Sequence, residues 1–234
     1  MDKMLNHHFF GIIISLITFN IGLFIYKKTK LPILNPILIS ILLIVGILLN
    51  FEIPLESYDK GGRLISFFLG PATVVLAIPM YKQLPVLKKH IKAILIGISG
   101  GVITSISVVI ALAKAFELDH TLKLSLIPKS ITTPIGIAIS ESLGGISSIA
   151  VIAIIITGIL GAIMAPFICK IFKIHHSVAK GIAIGTSSHA VGTSKALEMG
   201  ETEGAMSSLS IALAGVITVF LAPLFVRIFS YFNL

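Results

Sequence analysis

Residues 128–145 read PKSITTPIGIAISESLGG, and this stretch decides the fold. It lies between two long apolar runs, yet it carries Lys129, Ser130, Thr132, Thr133, Ser140, Glu141 and Ser142. Pro134 offers no N–H and disfavours helical φ/ψ at Thr133, so one uninterrupted helix is not expected here. Ser130, Thr132 and Thr133 are suited to cap a helix that starts at Pro134, and Gly144-Gly145 close it. Within hydrocarbon, non-helical backbone is tolerated only where it is buried in protein or lines a wet cavity. A broken, hydroxyl-rich segment in a membrane chain therefore marks a site.

The membrane premise comes from composition. Of 234 residues, 56% are hydrophobic and 12% charged, with a mean hydropathy of +1.05. A soluble domain is about a quarter charged. The chain is expected to be an all-α polytopic membrane protein, a single integral membrane domain over residues 1–234. Its net charge of +8 does not point to nucleic acid, because the lysines fall in short clusters between apolar runs. That pattern orients membrane helices. The single cysteine, Cys169, excludes an intramolecular disulfide and reads as a buried thiol near a helix end. The N-terminus, MDKMLNHHFFGIII, lacks a small-residue cleavage site, so its apolar run reads as a retained first span.

A span needs roughly 20 apolar residues. Phe9–Tyr26 and Ile33–Phe51 are the first two, separated by Lys27, Lys28 and Lys30 and followed by an acidic loop with Glu52, Glu56 and Asp59. Leu64–Tyr81 is apolar but interrupted at Gly70-Pro71-Ala72-Thr73. Ala93–Phe116, Ile146–Phe172 and Ala205–Phe232 are further spans. Gly97, Gly100 and Gly101, and again Gly158, Gly161 and Ala165, make flat faces for close helix packing. Residues 181–200, GIAIGTSSHAVGTSKALEMG, form a second polar island. The expected total is about seven transmembrane helices plus one or two re-entrant or broken hairpins. Residues 1–62 would supply scaffold spans and 63–234 a broken-helix core.

Charge sets the orientation. Placing Lys27–Lys30, Lys82–Lys92 and Lys170–Lys180 together in the cytoplasm puts the N-terminus outside. One net crossing is then left for two segments, Leu122–Leu143 and Ile146–Phe172. The simplest solution makes the first a re-entrant hairpin dipping in from outside. The island at 181–200 is either a hairpin entering from inside, mirroring the first, or a broken span. Three times a broken, small-residue-rich segment precedes a polar loop and a Gly-rich span. Repeats whose broken helices meet near the midplane are the architecture of many secondary transporters.

PKSITTPIGIAISESLGG, then AKGIAIGTSSHAVGTSKALEMGE, together with GPATVVLAIPMYKQ at Gly70–Gln83, resemble the LrgB/CidB family of bacterial membrane proteins over essentially the whole chain. The resemblance implies an antiholin-like or murein-hydrolase-regulating protein of the bacterial cell membrane, working beside a small LrgA/CidA-type holin-like partner. A fused plant relative, the plastid glycolate/glycerate transporter, and bacterial pairs linked to pyruvate uptake imply instead the transport of small monocarboxylates.

The residues carry their own argument. Lys129, Ser130, Thr132 and Thr133 beside a helix start offer a charge, hydroxyls, free N–H groups and a positive dipole end, all suited to a small carboxylate. Capping and interhelical bonding, or snorkelling for Lys129, are the structural uses of the same residues. Thr186, Ser187, Ser188, His189 and Thr193 form the second candidate, with Gly185 and Gly192 as further breaks beside Gly70, Pro71, Pro134, Gly144 and Gly145. His189 is an intramembrane titratable group and so a proton-coupling candidate, with Glu141 a second. Ser187-Ser188-His189 does not make an enzyme, since adjacency supplies no triad geometry and no G-x-S-x-G elbow is present. His7-His8 and His175-His176 lack a ligand set spaced for zinc, so no metal or cofactor is expected.

Two functions are thus open. One is a secondary transporter for small monocarboxylates, its site built where the two islands meet. The other is a regulatory subunit acting on a holin-like partner through its small-residue faces. The expected partners are membrane lipid, a small carboxylate and the holin-like protein; a homo-oligomer is compatible with both readings, and nucleic acid with neither.

Overall fold

A computed structural model describes residues 8–29, 31, 34–68, 71, 74–75, 77–82 and 84–231. Among these the fold is helical, with no strand, and the chain forms two compact units, residues 1–75 and 76–234. Among the described residues four helices are long and apolar enough to cross a membrane, over Phe9–Thr29, Lys88–Ala115, Ser147–Ile171 and Glu201–Phe229.

In the first unit α2 (Pro36–Asn50) and α3 (Leu55–Phe67) each pack on α1 (His8–Thr29). Pro36 opens α2 behind Asn35, whose side chain accepts from the Ile37 N–H. The two serine/threonine contacts are internal: Thr18 Oγ1 and Ser40 Oγ lie 2.8 Å apart, and Ser15 Oγ lies 3.0 Å from the Tyr58 hydroxyl. The stretch expected to be an acidic loop is largely helical instead. Asp59 sits in α3, where it pairs with Arg63 one turn on at 2.9 Å. The expected break at Gly70–Thr73 lies outside the described residues except for Pro71, which is helical and exposed.

The second unit contains α4 (Ala77–Lys82), α5 (Leu84–Ala115), α6 (His120–Leu126), α7 (Thr133–Leu143), α8 (Ser147–Ile171), α9 (Ser177–Met199) and α10 (Glu201–Tyr231). Asp119 caps α6, accepting the Thr121 N–H at 2.9 Å, and this bond holds its carboxyl below the usual range. Between α6 and α7 the chain turns through residues 127–132 and reverses. A carbon placed on Gly136 would lie 3.4 Å from the Pro128 carbonyl, and a carbon on Gly145 would lie 2.8 Å from the Ser125 N–H nitrogen. The Ile146 N–H also donates to Ser125 Oγ at 2.7 Å. Those contacts run in opposite senses along the two helices, so α6 and α7 are antiparallel arms. At 7 and 11 residues they are only about 10 and 16 Å long.

The start of α7 departs from expectation. It begins at Thr133 rather than Pro134, and Thr132 occupies the cap position without donating or accepting a side-chain cap bond. Ser130 is turned away to Ser105, 3.0 Å distant on α5. The end behaves as expected: Gly144 adopts φ 86° and the Gly145 N–H reaches back to the Ser140 carbonyl at 2.8 Å.

The second island is also a folded-back pair. His189 has φ 42° and ψ −140°, which divides α9 into the arms 177–188 and 190–199. Residues eight apart in a straight helix are separated by about 12 Å, yet a carbon on Gly192 would lie 3.3 Å from the Ile184 carbonyl. Gly185 and Gly192, expected to be breaks, are helical. Their missing side chains serve close approach instead, Gly185 admitting the Ser207 backbone of α10 and Gly192 admitting the opposite arm. The turn falls on the histidine between them because its ring and carbonyl are both held there.

Candidate functional site

Between α5 and α8 a cavity of about 920 Å³ is floored by the first arm of α9 and closed at depth by the turn before α7. His90 and His176 stand at one end, their rings 5.6 Å apart. Lys129, Ser130, Ser187 and Ser188 stand at the other. The walls between are apolar, with Ala93, Gly97, Leu160, Met164, Ile182 and Ala183. A shape of this kind, mostly apolar with a few convergent polar groups, is that of a ligand pocket.

The small-residue faces make this arrangement possible. A carbon on Gly101 would come 2.7 Å from Thr186 Cγ2, and one on Gly158 would come 2.7 Å from the His189 ring nitrogen Nε2. A carbon on Gly161 would collide with Ser188. The glycine faces of α5 and α8 are therefore seats for the second folded-back pair, so the expected use of these positions as a partner interface is corrected. On these two faces Gly100 is the exception and meets nothing within 4 Å.

Of the residues proposed for binding, the fold gathers Lys129, Ser130, Thr186, Ser187 and Ser188 on one cavity. The Lys129 ammonium donates to Ser130 Oγ at 3.2 Å, and Ser187 and Ser188 hydroxyls lie 2.9 Å apart. Thr186 Oγ1 is buried without a hydrogen-bond partner among the described residues. Thr132 and Thr133 do not line the cavity. His189 is buried behind it, its Nε2 bonded to the Ile154 carbonyl at 2.8 Å. Thr193 donates to the His189 carbonyl at 2.9 Å and shares a 2.7 Å bond with Ser207 of α10. Glu141 is exposed at the far end of α7, where it accepts from Ser147 at 2.7 Å, and it too is absent from the lining.

Several polar residues escape the sequence reading. His90, Thr104, Ser105 and Thr157 line the cavity, and Thr218 of α10 faces Ser105, Ser130 and Thr186 across a small void. A serine within an apolar span carries no signal by itself. Ser105 was nonetheless findable, because it continues the stripe Gly97–Gly101 by one more helical turn.

The fold and cavity define a multi-helix membrane protein in which two folded-back helix pairs meet at a polar focus. The chain belongs to the LrgB-like family, whose model matches residues 15–228. It is 39% identical over 221 residues to the antiholin-like protein LrgB of Bacillus subtilis, covering 94% of this chain and 96% of that one. The antiholin-like protein LrgB of Bacillus cereus is 40% identical over 93% of this chain and 95% of its own. YxaC of Bacillus subtilis, an uncharacterised protein, is 44% identical over 88% and 89% of the two chains. No solved structure matches the chain.

Proposed function

We propose that this chain is an antiholin-like regulatory membrane subunit of a bacterial cell membrane, acting on a holin-like partner and through it on murein hydrolase activity. The observation that carries this reading is end-to-end likeness to relatives named antiholin-like, at 39–40% identity with no large unmatched segment in either chain. With the glycine faces occupied internally, partner contacts fall to exposed apolar faces such as Phe9, Leu16 and Phe24 on α1. Deleting the chain in a host that carries the holin-like partner is expected to change the onset of autolysis, with recovery on re-expression. Unchanged lysis with the partner present refutes the reading.

A second reading rests on Lys129. The ammonium is half-buried at the end of an apolar cavity, and its hydrogen-bond partner among the described residues is a serine hydroxyl. The two ion pairs among the described residues involve neither it nor any carboxylate near it. A desolvated charge without an opposite charge is costly, and a solute carboxylate would offset that cost. In this reading the chain moves small monocarboxylates, binding them with Lys129, Ser130, Ser187 and Ser188. The two folded-back pairs are re-entrant from opposite faces, and the His90–His176 end is cytoplasmic because the lysines of 82–92 and 170–180 flank it. Saturable pyruvate, glycolate or glycerate uptake into liposomes holding the chain, alone or with its partner, supports this. Absence of flux in both preparations removes it.

A further inference from the structure

The two folded-back pairs are more alike than their surroundings require. A shift of 56 positions lays SITTPIGIAISESLG (residues 130–144) on TSSHAVGTSKALEMG (residues 186–200). Ser130 then falls on Thr186, Thr132 on Ser188, Ile135 on Val191, Gly136 on Gly192, Leu143 on Met199 and Gly144 on Gly200. The geometry repeats at the same shift. Gly136 packs on the carbonyl of Pro128 at 3.4 Å, and Gly192 packs on that of Ile184 at 3.3 Å. Pro128 and Ile184 are themselves a matched pair. His120, opening the first pair, matches His176, preceding the second.

The preceding helices match too, and they point in opposite directions. Along α5, Gly97 and Gly101 meet Ile182 and Thr186 in that order, so α5 runs parallel to the first arm of α9. Along α8, Gly158 and Gly161 meet His189 and Ser188, so α8 runs against it. Each helix is followed by its own folded-back pair, entered from the end where that helix stops. Residues 91–145 and 147–201 are thus two copies of one unit in inverted senses, the arrangement in which a site at the repeat interface faces either end.

The two copies differ in exposure. Ala183 and Ser187 of the second pair are exposed on the cavity, whereas their counterparts Ile127 and Ile131 are buried, at 2% and 3% exposure. We infer that the first copy carries a second solute cavity, closed in this structure, lined by Leu126 and Ile127, by Ala153 and Thr157 of α8 and by Leu112 of α5. It opens at the end opposite His90 and His176 and shares Ser130, Thr157 and Thr186 with the open one. Its use for solute rests on the carboxylate reading above, but its existence is testable without flux.

The test uses full-length protein in oriented vesicles, with Cys169→Ser as background and a membrane-impermeant maleimide as probe. Ala183→Cys is expected to react from the face bearing His176. Ile127→Cys is expected to react from the opposite face, at roughly 0.1–10% of the rate of a fully exposed thiol if the alternative conformer is a minor state of ordinary population. Ile98→Cys, at a core position with 0% exposure, sets the background, and Leu126→Cys serves if Ile127→Cys fails to fold. Reaction of both first-copy cysteines at the Ile98→Cys rate, or from the same face as Ala183→Cys, overturns the inference. Opposite-face reaction in vesicles that show no carboxylate flux would keep the second cavity and remove the carboxylate. Flux with both cysteines silent would do the reverse.

Discussion

Replacing His189 by alanine and by glycine gives two variants whose relative stability reads the chain reversal directly. In an ordinary helix interior, glycine is less stable than alanine by about 1 kcal/mol. At φ 42° the order inverts, because a Cβ in the left-handed region costs about 1–2 kcal/mol and glycine avoids it. Both variants lose the ring's 2.8 Å bond to Ile154 and leave the same space, so those losses cancel in the comparison. The turn geometry thus predicts His189→Gly to be more stable than His189→Ala by about 1 kcal/mol, and a continuous helix predicts the opposite by a similar amount. The two outcomes differ by about 2 kcal/mol, roughly a factor of 30 in the folding equilibrium. Unfolding by SDS titration in mixed micelles, followed by far-ultraviolet circular dichroism, resolves this. Alanine proving the more stable variant would refute the folded-back reading of residues 177–199.

Lys129→Gln removes the ammonium while keeping a donor; because a hydrogen bond to a charged group contributes about 1.5–3 kcal/mol, carboxylate binding measured by calorimetry should weaken by ten-fold or more. Thr133→Val, at a position off the cavity, should leave that binding unchanged. Adjacent glycines should respond with opposite signs: Gly100→Ala meets open space and should gain up to about 1 kcal/mol in the SDS titration, while Gly101→Ala presses on Thr186 and should lose stability. Thr193→Val deprives Ser207 of its partner, a buried hydroxyl left unsatisfied at about 1–3 kcal/mol, seen in the same titration.

The sequence made the spans legible where apolar length alone defines them. Ile146–Phe172 and Ala205–Phe232 correspond to α8 and α10 within a few residues at each end, and Gly144 ends α7 as its backbone freedom dictates. Both islands were legible as breaks because proline, glycines and hydroxyls cluster there inside apolar runs, although each residue type by itself also serves capping and helix packing. The location of the second break was not. Glycine is the residue that positive φ favours, so Gly185 and Gly192 were the natural choices, and a histidine takes the role only because Ile154 and Thr193 hold it from two sides. Likewise Thr132 and Thr133 share a segment with Ser130 but project from a different side of the turn. Sequence proximity reports the segment and not the face. The acidic run 52–59 is a loop only at its start: residues 52–54 are non-helical, while Glu56 and Asp59 fall in α3, because charge does not distinguish a loop from a helix in water and the spacing of Asp59 and Arg63 supports the helix.

The antiholin-like and carboxylate readings meet in a measurable coupling. Lys129 and Ser130 sit on the first folded-back pair, Thr186, Ser187 and Ser188 on the second, so an anion bound there would bridge the two elements that the inferred second cavity would have exchange exposure. A partner that favours one exposure would then bind this chain differently with and without the anion. Linkage requires reciprocity: the factor by which carboxylate changes partner affinity equals the factor by which the partner changes carboxylate affinity, commonly about 5–150-fold, or 1–3 kcal/mol. Both arms are accessible with purified partner in nanodiscs, titrating partner at zero and saturating pyruvate, then pyruvate at zero and saturating partner. Equal, non-unit factors would make solute occupancy the signal that the regulatory subunit passes on. Factors of one in both directions, with both ligands binding, would separate the two activities and leave the cavity without a part in regulation.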